Sequence, residues 1–249
     1  MMLLYMMKVD REYQYSDELS GSLLEYDSQH SQRPSWVRYS GEERTQYLRL
    51  KHEGSHVWYR RYFEDYFFIF EPSAEDYKNY YDAIAQAYDS MVPQNKEIAE
   101  FIRKKLQENL KEDARVLELS AGTGIISEAI AEFDLTITDI SKDSLKIAKH
   151  RTGLSDDRVI AADLNVFEPD GMYDAVVESM GLDYFTDEQL KNIVERLLPH
   201  LAKGAMLIIV DRHRYPVFEH YFTPVDSGSF DLKTPTGTFP YQFFVGKLK

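Results

Sequence analysis

The sequence predicts an α/β fold, a doubly wound and mostly parallel sheet in residues 76–249, preceded by an aromatic-rich, β-containing extension in residues 1–75. Three observations predict it. Short apolar runs end on acidic residues, at Glu118, Asp139, Asp163, Glu178 and Asp211. Amphipathic helical stretches lie between several of them. A small-residue turn, Ser120-Ala-Gly-Thr-Gly124, follows the first run directly.

Val116, Leu117 and Leu119 form the first of these strands. Small residues stop it, and Ile125, Ile126, Ala129 and Ile130 then recur at helical spacing. Glycine lets the turn bend and lets backbone approach a ligand, while the free N–H groups of the helix start favour an anion. Leu135 to Ile140 is the second strand, and Asp139 at its end lies 21 residues beyond Glu118. A carboxylate there can accept both hydroxyls of a ribose. Arg158 to Ala162 and Tyr173 to Val177 are the third and fourth strands. Thr186 caps a long helix carrying Leu190, Ile193, Val194, Leu197, Leu198 and Leu201 on one face, Gly204 ends it, and Ala205 to Val210 is the fifth strand. Beyond it, His213 to Phe222 reads as a stunted helix, and Ser229 to Thr234 turns through Pro235-Thr-Gly237 into Tyr241 to Leu248 as a closing hairpin. Upstream, Tyr81, Ile84, Tyr88 and Met91 share one helical face; after the break at Pro93, Ile98, Phe101, Ile102 and Leu106 share another.

The first 75 residues hold 15 of the 34 aromatics, both tryptophans included. Val37 to Leu50 and His56 to Phe70 read as strands around Glu53-Gly54-Ser55, with Tyr47, Leu48 and Leu50 opposite Val57, Trp58, Tyr59 and Tyr62. Residues 10 to 35 are polar and read as loop. The element could serve as a lid, a substrate-selecting surface, a homodimer contact or a packing layer.

Composition excludes several chemistries. With no cysteine there is no disulfide, thiolate metal cluster, cysteine-bound iron–sulfur radical centre or catalytic thiol. The seven histidines give no metal-binding pair with a third ligand, so no metal is predicted. Net charge is −13, and the short basic patches Arg60-Arg61 and Arg212 to Arg214 do not offset it, which argues against nucleic acid. Met1 to Met7 is too short to span a bilayer and lacks a basic leader, so a soluble, cytoplasmic protein without membrane partners is expected.

The second region resembles the class I S-adenosylmethionine-dependent methyltransferases over residues 77 to 249. The carriers are Glu118-Leu-Ser-Ala-Gly-Thr-Gly124, which follows the family's E/D-x-G-x-G-x-G turn, then Asp139, the Ala162-Asp163-Leu164 step, and Tyr81-Asp-Ala-Ile-Ala-Gln-Ala-Tyr88-Asp89. Ser120 departs from the pattern, standing where the family has its first glycine, and is expected to narrow the turn without closing it. The resemblance implies a seven-stranded sheet with an antiparallel last strand, S-adenosylmethionine as cofactor and S-adenosylhomocysteine as product. Ser120, Ala121, Gly122 and Gly124 would pass against the cofactor's amino acid end, Glu118 would complement its ammonium, and Tyr81 and Tyr88 would reach its carboxylate. Asp139 would hold the ribose and Ile140 cover the adenine, with Asp163 and the Leu164 N–H bonding the adenine edge. Glu178, Ser179 and Met180 would line the gap where donor meets acceptor. The alternative reading of Asp163 and Glu178 is as local caps, and of Tyr88 as core.

The expected reaction is in-line displacement of the activated methyl by an oxygen or nitrogen of a small-molecule acceptor, with the protein supplying alignment and exclusion of water. Where the acceptor must lose a proton, Glu178, His213 and Tyr184 are the candidate bases by position. The family's Asn/Asp-Pro-Pro-Tyr signature is absent, its place being taken by Glu178-Ser-Met-Gly181. Competing readings are a protein methyltransferase, a non-catalytic cofactor-binding regulator or scaffold, and an NAD-dependent dehydrogenase, whose fingerprint would want glycine at Ser127.

Overall fold

The computed structural model describes residues 6–8, 35–38, 47–52, 55–63, 66–70, 74–234 and 237–249. The chain divides into two compact units, residues 1–80 and 81–249.

The first unit contains a five-stranded antiparallel sheet built from β1 (Met6–Lys8), β2 (Ser35–Arg38), β3 (Tyr47–His52), β4 (Ser55–Phe63) and β5 (Tyr66–Phe70), in the order β1-β5-β4-β3-β2. The two long strands expected from sequence are four strands among the described residues. Leu48 pairs with Tyr59 and Leu50 with Val57, within the expected register. The expected loop falls on residues 10 to 35, which lie outside the described residues up to 34.

Helix α1 (Ala74–Ile84) crosses the division, and α2 (Tyr88–Met91) and α3 (Asn95–Asn109) follow. The single helical face expected for Tyr81, Ile84, Tyr88 and Met91 is split by a turn at 85–87. No glycine or proline causes the break. The side chains on either side of it are tied to different parts of the second unit, and tertiary contact overrides the good helix propensity of Ala85-Gln86-Ala87.

The second unit is a seven-stranded sheet with helices on both faces. Its elements are β6 (Arg115–Leu119), α4 (Ile125–Ala129), β7 (Asp134–Asp139), α5 (Lys142–Thr152), β8 (Val159–Ala161), β9 (Tyr173–Ser179), α6 (Asp187–Leu197), β10 (Leu201–Asp211), β11 (Phe222–Thr234) and β12 (Gly237–Leu248). The order is β11-β12-β10-β9-β6-β7-β8, parallel from β8 to β10, with β12 antiparallel to both its neighbours.

The central strands are apolar on successive residues because both faces are covered. Val116, Ile137, Ala175, Val177, Ile208 and Val210 pack with Ile98, Ile102 and Leu106 of α3, Ile126 of α4, and Leu145 and Ala148 of α5. Leu117, Leu119, Val176, Leu207 and Ile209 pack with Leu190, Ile193, Val194 and Leu197 of α6. No helix connects β8 to β9; Leu164 and Phe167 cover the α6 face there.

Thr186 caps α6 through a reciprocal capping box with Gln189. The stop is earlier than expected. Leu198 keeps helical backbone (φ −50°, ψ −44°), but Pro199 has no N–H to continue the helical bonding, so α6 gives way to a 3-10 turn at Leu198–His200, and Gly204 sits inside β10 instead of closing the helix. The stunted helix is a 3-10 turn, Pro216–His220, and the hairpin is longer than predicted, starting at Phe222. Among the described residues no helix is long and apolar enough to cross a membrane.

Candidate active site

Parallel strands end together, so the carboxyl edges of β6, β7, β9 and β10 bring the predicted residues to one rim of the sheet. Alternation along the strands then sorts them by face. Glu118 and Asp139 fall on the face of α3, α4 and α5, with Val116 and Ile137. Glu178 and Asp211 fall on the α6 face, with Val176 and Ile209.

The turn after β6 is left-handed at Ser120 (φ 52°), Gly122 (φ 54°) and Gly124 (φ 81°). Gly124 is obligatory for two reasons. Its φ suits glycine, and a Cβ there would stand 2.7 Å from the Ala148 Cβ on α5. Ser120 accepts the strained conformation that the family's glycine would take without cost, and its hydroxyl fills the space beside Gly181, where a Cβ would come within 2.3 Å. The loop after β9 thus closes directly onto the turn.

Asp139, half-buried, is oriented by two backbone donors: Gly122 N–H to Oδ2 at 2.8 Å and Ser141 N–H to Oδ1 at 2.8 Å. Burial pushes its carboxyl up to about 6 against the pull of those donors. Ile140 is half-buried beside it. Glu118 is 1% exposed, accepts from the Ser127 hydroxyl at 2.6 Å, and is pushed by burial, then by Asp139, up to about 8. The serine that spoils a dinucleotide fingerprint therefore has its own task, holding Glu118. Ala121 donates to the Thr138 carbonyl at 3.0 Å, tying the turn to β7.

Asp163 caps its own turn, Oδ1 accepting from the Asn165 backbone and side-chain nitrogens at 2.9 and 3.0 Å. That is the local cap anticipated as its alternative reading. Leu164 is buried against the α6 face, and its carbonyl accepts from Arg196.

Two carboxylates that sequence reasoning passed over hold the segment above the turn. Asp82 accepts from the Ser141 hydroxyl at 2.8 Å and the Asp143 N–H at 3.0 Å, at the start of α5. Asp89 accepts from the Thr123 hydroxyl and pairs with Arg151. Both lie in the stretch from Tyr81 to Asp89, where only the tyrosines had been assigned roles; their seven-residue separation was the available signal. Tyr88 lies against the turn, 3.8 Å from where a Gly122 Cβ would stand. Tyr81 packs edge-on to Tyr88 and to Tyr184, and the Tyr81 and Tyr184 hydroxyls are hydrogen-bonded.

On the other face, Glu178 is 1% exposed, with Oε1 accepting from the Gly181 N–H at 2.6 Å. Burial, then the charge of Asp211, raises its carboxyl well above the ordinary range. The Tyr215 hydroxyl lies 2.9 Å from Asp211 Oδ2 and 3.0 Å from Asp183 Oδ1, and its pKa is raised by burial and those acids. His213, half-exposed, has Nε2 at 3.4 Å from Asp183 Oδ1. The three candidate bases are thus dispersed: Glu178 below the rim, His213 beside Asp183, Tyr184 against Tyr81. Asp183 and Tyr215 were missed; Asp211 had been visible as a strand-end acid. Among the described residues no group of three or more His, Asp or Glu side chains is arranged to hold a metal ion.

Strand order, glycine turn and strand-end acids together match the class I methyltransferase fold. Residues 116–204 match the family model described as a methyltransferase domain. No curated protein is similar enough in sequence to count as a match. Among solved structures, the magnesium protoporphyrin IX methyltransferase ChlM of Synechocystis PCC 6803, with bound S-adenosylmethionine, is similar at TM-score 0.57 and 14% identity, over 71% of this chain and 97% of that one. The N-methyltransferase NodS of Bradyrhizobium japonicum WM9, in complex with S-adenosylhomocysteine, is similar at TM-score 0.54 and 16% identity, over 63% and 88%. Both likenesses are of fold.

Proposed function

We propose that the chain is an S-adenosylmethionine-dependent methyltransferase that carries a methyl group to a nitrogen or oxygen of a small-molecule acceptor, leaving S-adenosylhomocysteine. The observation that carries the cofactor reading is the left-handed turn at Ser120–Gly124 beside a clamped strand-end carboxylate, Asp139, inside the stretch that matches the methyltransferase family.

The donor set fits this cofactor. Glu118 and Asp139 offer carboxylates to its ammonium and ribose hydroxyls, and the turn presents backbone without Cβ atoms at Gly122 and Gly124. When bound, the cofactor supplies a methyl already activated on a sulfonium. The chain then has to orient and enclose. Asp82 and Asp89 fix the segment bearing Tyr81 and Tyr88 over the turn, where the rings exclude water. Gly181 brings the loop after β9, with Tyr184, close enough to complete the wall. Displacement in line follows from alignment of the acceptor atom with the methyl–sulfur bond.

A net charge of −13 supports a small-molecule acceptor over a polyanion. The test is incubation of the purified chain with S-adenosylmethionine and a small-molecule extract, reading S-adenosylhomocysteine. Product above the rate without extract is expected; tight cofactor binding with no product from any extract would leave a binding protein instead.

A further inference from the structure

We infer that the acceptor is a small amine bound as a cation, received by Glu178, Asp183 and Asp211 at the carboxyl ends of β9 and β10, so that the reaction is N-methylation. The inference rests on the methyl-transfer reading above.

Glu178 Oε2 carries the argument. It is fully buried without a hydrogen-bond partner among the described residues, while Oε1 of the same carboxyl is satisfied by Gly181. A buried carboxyl oxygen stripped of water and given no donor is costly, by roughly 1–3 kcal/mol, and such groups in folded proteins call for an explanation. A bound ligand can supply the donor, and the charges acting most strongly on Glu178 are those of Asp211 and Asp183, both negative. A cationic donor gains from both. An anionic acceptor would meet them as repulsion.

The neighbours give the cluster its shape. Asp211 is fully buried and the Asp183 side chain is 8% exposed. Tyr215 bridges these two acids through its hydroxyl, and His213 stands at Asp183. Both residues also line a cavity of about 150 Å³ with Ser227, Gln242 and Phe243. Tyr215 and His213 thus link the acids to the cavity, where Arg214 is paired with Glu219 at 2.7 Å and the aromatic walls suit a positive charge. Arg212 does not compete for this space, because its guanidinium lies over Phe239 and Tyr241 at 5.1 and 5.7 Å, and Tyr241 belongs to the opposite core.

The chemistry balances. The ammonium gives one proton to the Asp183 carboxylate, from which it passes by half-exposed His213, 3.4 Å away, to water. The freed nitrogen lone pair forms the new nitrogen–carbon bond as the carbon–sulfur pair returns to sulfur. The product leaves as a methylammonium, with one proton released per turnover.

The experiment divides a small-molecule extract by ion exchange into cationic, neutral and anionic fractions and supplies each, with S-adenosylmethionine, to the wild-type chain. S-adenosylhomocysteine at least tenfold above background with the cationic fraction alone is expected. Product with the neutral or anionic fraction and none with the cationic one overturns the inference while leaving methyl transfer intact; product with none removes both. With the cationic fraction, Glu178→Gln and Asp183→Asn are each expected to lower the initial rate at least tenfold with cofactor Kd within twofold of wild type. Should Glu178→Gln fold poorly, Asp183→Asn carries the comparison from a position nearer the surface. Unchanged rates in the folded variants, or a parallel tenfold loss of cofactor affinity, overturn the assignment.

Discussion

The two ends of the sheet's rim treat their carboxylates differently. At β6 and β7 the chain itself holds the acids: Ser127 bonds Glu118, while Gly122 and Ser141 bond Asp139. At β9 one oxygen of Glu178 is buried with no partner among the described residues. The first arrangement is preorganised, its carboxylates fixed by donors from the chain itself. The second leaves a carboxyl oxygen unsatisfied. The difference teaches that one sheet rim can hold acids in fixed geometry at one end and leave bonding capacity at the other, as the proposed cofactor and acceptor sites would require.

Sterics at the preorganised end offer the largest effect. Gly124→Val places a branched side chain on α5 in a left-handed conformation, and a loss of about 3 kcal/mol or more is expected in thermal unfolding. Gly204→Ala, also at positive φ but with nothing within 4 Å, is expected to cost only about 1 kcal/mol. Equal losses at the two sites would erase the steric part of the contrast.

Next comes Asp139→Ala, expected to weaken cofactor binding at least about tenfold with the fold intact, since the ribose hydrogen bonds go with the carboxylate. Isothermal calorimetry on the variant checks it; unchanged affinity would sink the ribose assignment.

A pH series sharpens the point further. Glu118 is raised from 4.5 to about 8, so the folded chain holds it protonated at neutral pH. Its contribution to stability is complete below the unfolded value and is lost as pH rises toward about 8. A cationic ligand needs the ionised form. Cofactor affinity is therefore expected to rise between pH 6 and 8, by up to about tenfold per pH unit, and to level above that. Calorimetry across that range gives the slope, and a flat profile would detach Glu118 from the ligand's ammonium.

The smallest effect belongs to the tether. Asp89→Ala removes the bonds to Thr123 and Arg151 and is expected to cost about 1 kcal/mol of stability, read from urea unfolding, because the pair is partly exposed. A loss several times larger would make the tether part of the core.

Much of this was legible in the sequence because strand-end acids and a small-residue turn are local signals. Val116 to Gly124, Asp139 and Glu178 fall at the predicted strand ends for that reason. What escaped depends on distance along the chain. Asp82 meets Ser141, and Asp183 meets Tyr215, across separations that no periodicity records. Asp163 shows the converse: a strand-end acid that bonds Asn165 in its own turn. Ser120 was read as a tolerable change, and only the approach of Gly181 explains what its hydroxyl does there. The break between α1 and α2 could not be read at all, since Ala85-Gln86-Ala87 favours helix and side-chain ties impose the turn.

The most direct test of this division is calorimetric titration of wild type, Asp139→Ala and Glu178→Gln with S-adenosylmethionine, S-adenosylhomocysteine and NAD in parallel. The account predicts micromolar binding of the first two ligands to wild type and Glu178→Gln, a loss of at least about tenfold in Asp139→Ala, and no heat with NAD. Binding of NAD alone, or equal affinity in all three proteins, would contradict it.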